Sequence, residues 1–102
     1  MKVYITIAGM DYRHGTSFIV PQMIGSLKMK LIKEPDNEYD QEAIMAKVPG
    51  LGKVGYVANS VRTVGEDCYS AGRLYDKIGD TAECTVEFVL DDSRAICSLE
   101  VE

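Results

Sequence analysis

Glu34-Pro35-Asp36-Asn37-Glu38-Tyr39-Asp40, followed by Ala43-Ile44, is a polar run set between two stretches of alternating apolar residues. Pro35 restricts its own φ and removes a backbone donor, and Asp36 and Asn37 can close a turn through side-chain to backbone bonds. Tyr39 and Asp40 present a ring and a carboxylate just before the apolar alternation resumes. Read plainly, this is a well-made surface turn. So many polar groups held between two strands also mark the kind of loop on which small β domains carry function.

The flanks read as strands. Before the run, Leu27, Met29 and Leu31 fall on one face and Lys28 and Lys30 on the other, a half-buried pattern whose lysines discourage edge pairing. After it, Ala43–Val48 predicts a strand, Pro49-Gly50-Leu51-Gly52 a turn, and Lys53–Val57 a strand that pairs back as a hairpin. Gly55 inside that strand suggests a bulge or a close backbone approach, which would suit a ligand passing over the sheet.

Lys2–Ala8 predicts a first strand ending at Gly9, with Val3, Ile5 and Ile7 on one face and Tyr4 and Thr6 on the other. Phe18-Ile19-Val20 is a short apolar piece ended by Pro21. Asn59 or Ser60 can cap a short helix through about Val64, and a second short helix is expected around Cys68 to Leu74. Thr81–Leu90 alternates with Ala82, Cys84, Val86, Phe88 and Leu90 inward. Beyond Asp91-Asp92-Ser93, a hairpin places Ala95, Cys97, Leu99 and Val101 on the same apolar face. Six short strands without an internal repeat make a mostly β protein, a small barrel with one or two short helices.

A chain of 102 residues, 46% hydrophobic and 26% charged, suits one globular domain over 1–102 with a modest core. Its first ten residues are too short and polar for a signal peptide, and no run is apolar enough to span a bilayer. A soluble, cytoplasmic protein is expected. The three cysteines, Cys68, Cys84 and Cys97, are odd in number and widely spaced, which argues against a disulfide framework or a zinc site. Cys84 and Cys97 read as buried thiols. The one histidine, His14, has no partner in sequence for acid–base chemistry. The net charge is −5, but unevenly spread: residues 1–65 hold eight bases against six acids, and residues 66–102 hold three against ten. Nucleic acid stays possible for the first part, although phosphate binding usually rests on Lys and Arg.

Three motifs resemble the HIRAN domain family. The central one is Glu34-Pro-x-Asn37-x-Tyr39-Asp40-x-x-Ala43-Ile44. Ile7-Ala8-Gly9-Met10-x-Tyr12 precedes it and Gly52-x-Val54-Gly55-Tyr56-Val57 comes after it, in the family's order and spacing, so the match runs from about residue 3 to residue 65. The resemblance implies an OB-like barrel that binds single-stranded DNA at its free 3′ end, in a pocket between the central loop and the loop after the first strand. Tyr12 and Tyr39 match the stacking aromatics, Asp40 the acceptor for the terminal hydroxyl, and Asn37 a polar contact to the last nucleotide. Asp36 stands where the family can also use Asn, and Tyr56 takes the place of another ring or histidine. Two departures weaken phosphate binding: Asp11 where a basic residue often stands, and Asn59 where a lysine is expected. Arg13, Lys33, Lys53 or Arg62 could compensate.

A second reading is a non-catalytic protein-interaction or regulatory barrel that has lost DNA-end binding, favoured by Asp11, Asn59 and the acidity. An enzyme ranks last. Asp36-x-Glu38-x-Asp40 lacks the Gly and the terminal Glu of a calcium loop, and no nucleophile–base pair or phosphate-cradling glycine loop is visible. No cofactor or metal is expected. A lone barrel has no motor, so a role in DNA repair needs a protein partner such as a helicase or nuclease.

Overall fold

The computed structural model describes residues 1–10, 19, 21–60, 65 and 67–101. Asp11, Tyr12, Arg13 and His14 lie outside the described residues. So do residues 61–64 of the helix expected after Asn59 and Ser60, and Phe18 and Val20 of the short apolar piece.

Among the described residues six strands form: β1 (Lys2–Ala8), β2 (Lys28–Lys33), β3 (Ile44–Val48), β4 (Gly52–Val57), β5 (Thr81–Val89) and β6 (Ala95–Glu100), with one α-helix, α1 (Ala71–Tyr75), and a 3-10 turn at Pro21–Met23. They close into a barrel in the order β1-β4-β3-β2-β5-β6, every pairing antiparallel. The expected small β-barrel and both expected hairpins are present. Period-two alternation fills the inside: Val3, Ile5 and Ile7 come from β1, Met29 and Leu31 from β2, Cys84 and Val86 from β5, all buried. Each large apolar side chain so placed contributes about 1.5–3 kcal/mol. Lys28 and Lys30 face out, as their alternation requires. No described helix is long and apolar enough to cross a membrane.

The helix starts later than the sequence suggests. Tyr69 bridges in parallel to Ile5 and donates its N–H to the Tyr4 carbonyl at 2.7 Å, so the chain is still extended there. Ser70 then caps α1, accepting the Arg73 N–H at 3.2 Å, and Ala71 and Leu74 turn into the core.

Alternation fails at two places. Between β5 and β6 the register runs Val86↔Cys97 and then Phe88↔Ile96, so Glu87 is an extra residue. Beyond it the buried alternation lapses: Phe88 is 60% exposed, Val89 38% and Leu90 46%, where strict alternation put Phe88 and Leu90 inside. Between β3 and β4, Ala46↔Gly55 gives way to Lys47↔Lys53, which leaves Val54 as the extra residue. Gly55 does allow a close backbone approach, but to the chain itself. A Cβ there would stand 2.5 Å from the Ala8 carbonyl oxygen and 3.2 Å from both Ile7 Cγ2 and Met10 Cγ.

Cys84 and Cys97 are buried free thiols, and Cys68 is half-buried. The hydrogen bond with Cys84 first, then burial, pushes the Cys97 thiol far above its ordinary range, so it stays protonated. In the β5–β6 turn, Asp91 accepts hydrogen bonds from Arg94 Nη2 at 2.8 Å and Nε at 3.0 Å and from the Ser93 N–H at 2.9 Å. Arg94 chiefly, then the Ser93 N–H, lower its pKa from 3.8 to about 2.

These contacts have two measurable consequences. Gly55→Ala should lose about 1–3 kcal/mol in urea unfolding, since rigid backbone rather than a mobile side chain blocks the methyl; wild-type stability would refute the close packing of β1 on β4. A carboxyl whose folded pKa is depressed stabilises above its unfolded pKa and loses that contribution as pH falls through the folded value. Asp91→Asn should therefore melt below wild type at about pH 7, and the gap should close between pH 3.8 and about 2. A gap independent of pH would show that the charge of Asp91 contributes nothing.

Candidate functional site

The loop from Glu34 to Ala43 is built as two stacked turns on a closed neck. Glu34 N–H donates to the Ala43 carbonyl at 2.9 Å across the neck. Pro35 and Asp36 occupy the centre of the first turn, which the Asn37 N–H closes onto the Glu34 carbonyl at 3.0 Å. Asn37 Oδ1 then accepts from the N–H groups of both Tyr39 (2.9 Å) and Asp40 (3.1 Å). The second turn closes through Ala43 N–H to the Asp40 carbonyl at 3.1 Å, with Glu42 N–H donating to Asp40 Oδ1 at 2.8 Å.

Side chains then bind this loop to the barrel. Glu34 Oε1 accepts from Tyr56 Oη on β4 at 2.8 Å and from Asn37 Nδ2 at 3.1 Å. Asp40 Oδ2 accepts from Asn59 Nδ2 at 3.0 Å, and Asn59 Oδ1 accepts from the Gly72 N–H of α1 at 2.9 Å. Asn59 therefore caps a helix remote in sequence, and it joins the Asp40 carboxylate to that helix. Its amide also reaches Glu42 Oε1 at 3.4 Å.

Asn37, Tyr39, Asp40, Tyr56 and Asn59 line one open cleft of about 690 Å³, together with Ala8, Gly9, Val57 and Ala58. Asp36 is not among its lining residues; it lies exposed on the first turn beside Pro35. Tyr12 and Arg13 lie outside the described residues. Tyr39 is 90% exposed although the amide beneath it is pinned. A ring left in water forgoes the burial that usually stabilises an aromatic side chain, so its face is available for a ligand. Asn37, by contrast, has both ends of its carboxamide occupied within the loop.

Sequence reasoning treated Glu34 only as part of a motif and missed that it fastens the loop to β4. Lys53 was one cation among four. It also lines the cleft, with Nζ 4.6 Å from the Tyr56 ring centroid. Alternation hides this pair, because residues three apart on a regular strand face opposite ways, and the Val54 bulge brings them together. Only the glycine at 55 hinted at the irregularity. Among the described residues no group of three or more His, Cys, Asp or Glu could hold a metal ion.

No family model matches the sequence, and no curated protein matches it. Among solved structures, the chain is similar to the crystal structure of the HIRAN domain of human HLTF, at 18% identity and a TM-score of 0.64, covering 98% of this chain and 74% of that one. The fold is HIRAN-like, in keeping with the three motifs.

If Asn37 organises the loop, Asn37→Ala should cost about 1–3 kcal/mol through the loss of three hydrogen bonds. It should also speed hydrogen exchange at the Tyr39 and Asp40 amides. Asn37→Asp, which keeps the acceptor but turns the donor to Glu34 into a like-charged oxygen, should fall between wild type and Asn37→Ala; equal exchange in all three proteins would deny the carboxamide this role.

Proposed function

We propose that the cleft binds nucleic acid, as a non-catalytic module that captures the free 3′-hydroxyl end of single-stranded DNA. The observation that carries this reading is the Asp40 carboxylate, held by the Glu42 N–H and the Asn59 amide at the wall of a cleft that also presents the exposed ring of Tyr39. Tyr39 stacks a base, a contact that is tolerant of sequence and contributes about 1–3 kcal/mol. Asp40 accepts a hydrogen bond from the terminal hydroxyl, a charge-assisted bond of about 1.5–3 kcal/mol. A terminal phosphate in the same place would meet a like charge instead, at a cost of about 1–4 kcal/mol for groups about 4 Å apart. The likeness to the HIRAN domain supports the reading through the shared fold. A role in DNA repair would require a motor or a nuclease centre acting together with this barrel.

The alternative, a protein-interaction or regulatory barrel, draws support from the β5 bulge, which leaves Phe88 and Leu90 exposed beside Tyr4. Fluorescence anisotropy with oligonucleotides ending in a 3′ hydroxyl or a 3′ phosphate separates the two. The hydroxyl end should bind about tenfold or more tightly, since 1.4 kcal/mol is a factor of ten. Asp40→Asn should erase that preference, and Tyr39→Ala should weaken both ends about equally. Equal binding of the two ends by wild type, or none, would overturn end capture and favour the protein-interaction barrel.

A further inference from the structure

With Asn59 joined to Asp40 and to α1, its amide is not available to replace a cation at the strand backbone. Two of the four candidate cations are among the described residues, and they differ sharply. Lys33 Nζ donates to the Ile78 carbonyl at 2.9 Å and lies 4.3 Å from the Tyr75 ring centroid, away from the cleft. Lys53 lines the cleft itself. No carboxylate of the described residues lies within ion-pair distance of its ammonium.

The placement of Lys53 is built. The extra residue at Val54 rotates Lys53 onto the face that carries Tyr56, and the ring then holds the ammonium at 4.6 Å. Tyr56 is itself fixed, its hydroxyl donating to Glu34 Oε1 at the neck of the loop. A lysine resting on a fixed ring has already lost part of its rotamer freedom, so less is lost when a ligand arrives. An ammonium carries three donors and no acceptor, and contact with a ring face leaves donors for anionic oxygens. The same contact covers one face of Tyr56, which makes that ring a support for the cation, while Tyr39 remains the open stacking face.

We propose that Lys53 makes the cleft's contact to a backbone phosphate next to the captured end, with Tyr56 as its positioning residue. The assignment rests on the nucleic-acid reading of the cleft and gives that reading its anionic contact. It predicts an electrostatic signature distinct from end selection. Neutralising one phosphate of a single strand contributes about 0.7 to the slope of log affinity against log salt.

The test is a salt titration of anisotropy binding with a 3′-hydroxyl oligonucleotide, on wild type and on variants whose thermal melts match it. Lys53→Gln should weaken binding several-fold at low salt and reduce the slope by about 0.7. It should keep the preference for a hydroxyl over a phosphate end, since Asp40 is untouched. Lys53→Arg should restore the wild-type slope. Tyr56→Phe keeps the ring but loses the hydroxyl's bond to Glu34, so its slope should fall between wild type and Lys53→Gln, and Tyr56→Leu should approach Lys53→Gln although no charge has changed. If wild type binds with end preference but Lys53→Gln leaves slope and affinity unchanged, the Lys53 assignment is overturned while end capture stands. If Tyr56→Leu binds as wild type does, the positioning role falls alone. If wild type binds no oligonucleotide, the nucleic-acid reading fails and the phosphate contact with it.

Discussion

One carboxamide oxygen, on Asn37, takes the N–H groups of both Tyr39 and Asp40, and the placement of the ring and of the acid depends on it. A ten-residue loop between strands would ordinarily lose its order to conformational entropy, at about 1–2 kcal/mol per residue held. Here the neck bond, the two turns and the Asn37 fork leave few backbone degrees of freedom between Glu34 and Ala43. The ring of Tyr39 is then free to serve something other than the loop, while Asp40 still holds the Glu42 N–H through Oδ1. Of the two, Asp40 is held further, because Asn59 joins it to α1, and α1 is anchored by Leu74 in the core.

A second device acts on the sheet. A closed barrel of strict alternation would assign every residue to the inside or the outside with no adjustment available. Each bulge inserts one residue and re-aims those beyond it. Val54 turns Lys53 towards Tyr56 and the cleft, and Glu87 turns Phe88 outward while its own carboxylate accepts the Ser98 hydroxyl. Both bulges thus alter the surface while the apolar interior stays continuous.

These features explain what could be read from the sequence. The six strands were legible because Val3-x-Ile5-x-Ile7, Leu27-x-Met29-x-Leu31 and Cys84-x-Val86 repeat with period two, and the turns because Pro35-Asp36-Asn37 and Pro49-Gly50-Leu51-Gly52 carry turn chemistry. The grouping of Tyr39 and Asp40 with Tyr56 was legible through two motifs that resemble those of HIRAN domains, and all three line one cleft. Phe88, Leu90 and Lys53 were not legible, because a bulge is a change of phase that leaves composition untouched. The start of α1 was missed for a related reason: Tyr69 is held extended by β1, a partner more than sixty positions away. Asn59 looked like the cap of the residues after it, and only the fold brings Gly72 to its side chain.

The acidity of the chain bears on how such a cleft would choose its ligand. Glu34, Asp36, Glu38, Asp40 and Glu42 crowd the loop, so a phosphodiester laid across it meets repulsion at several points, each about 1–4 kcal/mol at close range depending on local screening. A strand interior carries a phosphate at every step and cannot avoid that cost. On the proposed reading, a strand end with a free hydroxyl would place its one uncharged, donating group against Asp40 and keep its nearest phosphate on the Lys53 side. Selectivity of this kind comes from rejecting the wrong ligand more than from holding the right one tightly. The same loop that makes the protein look ill-suited to a polyanion is then what would confine it to the terminus of one.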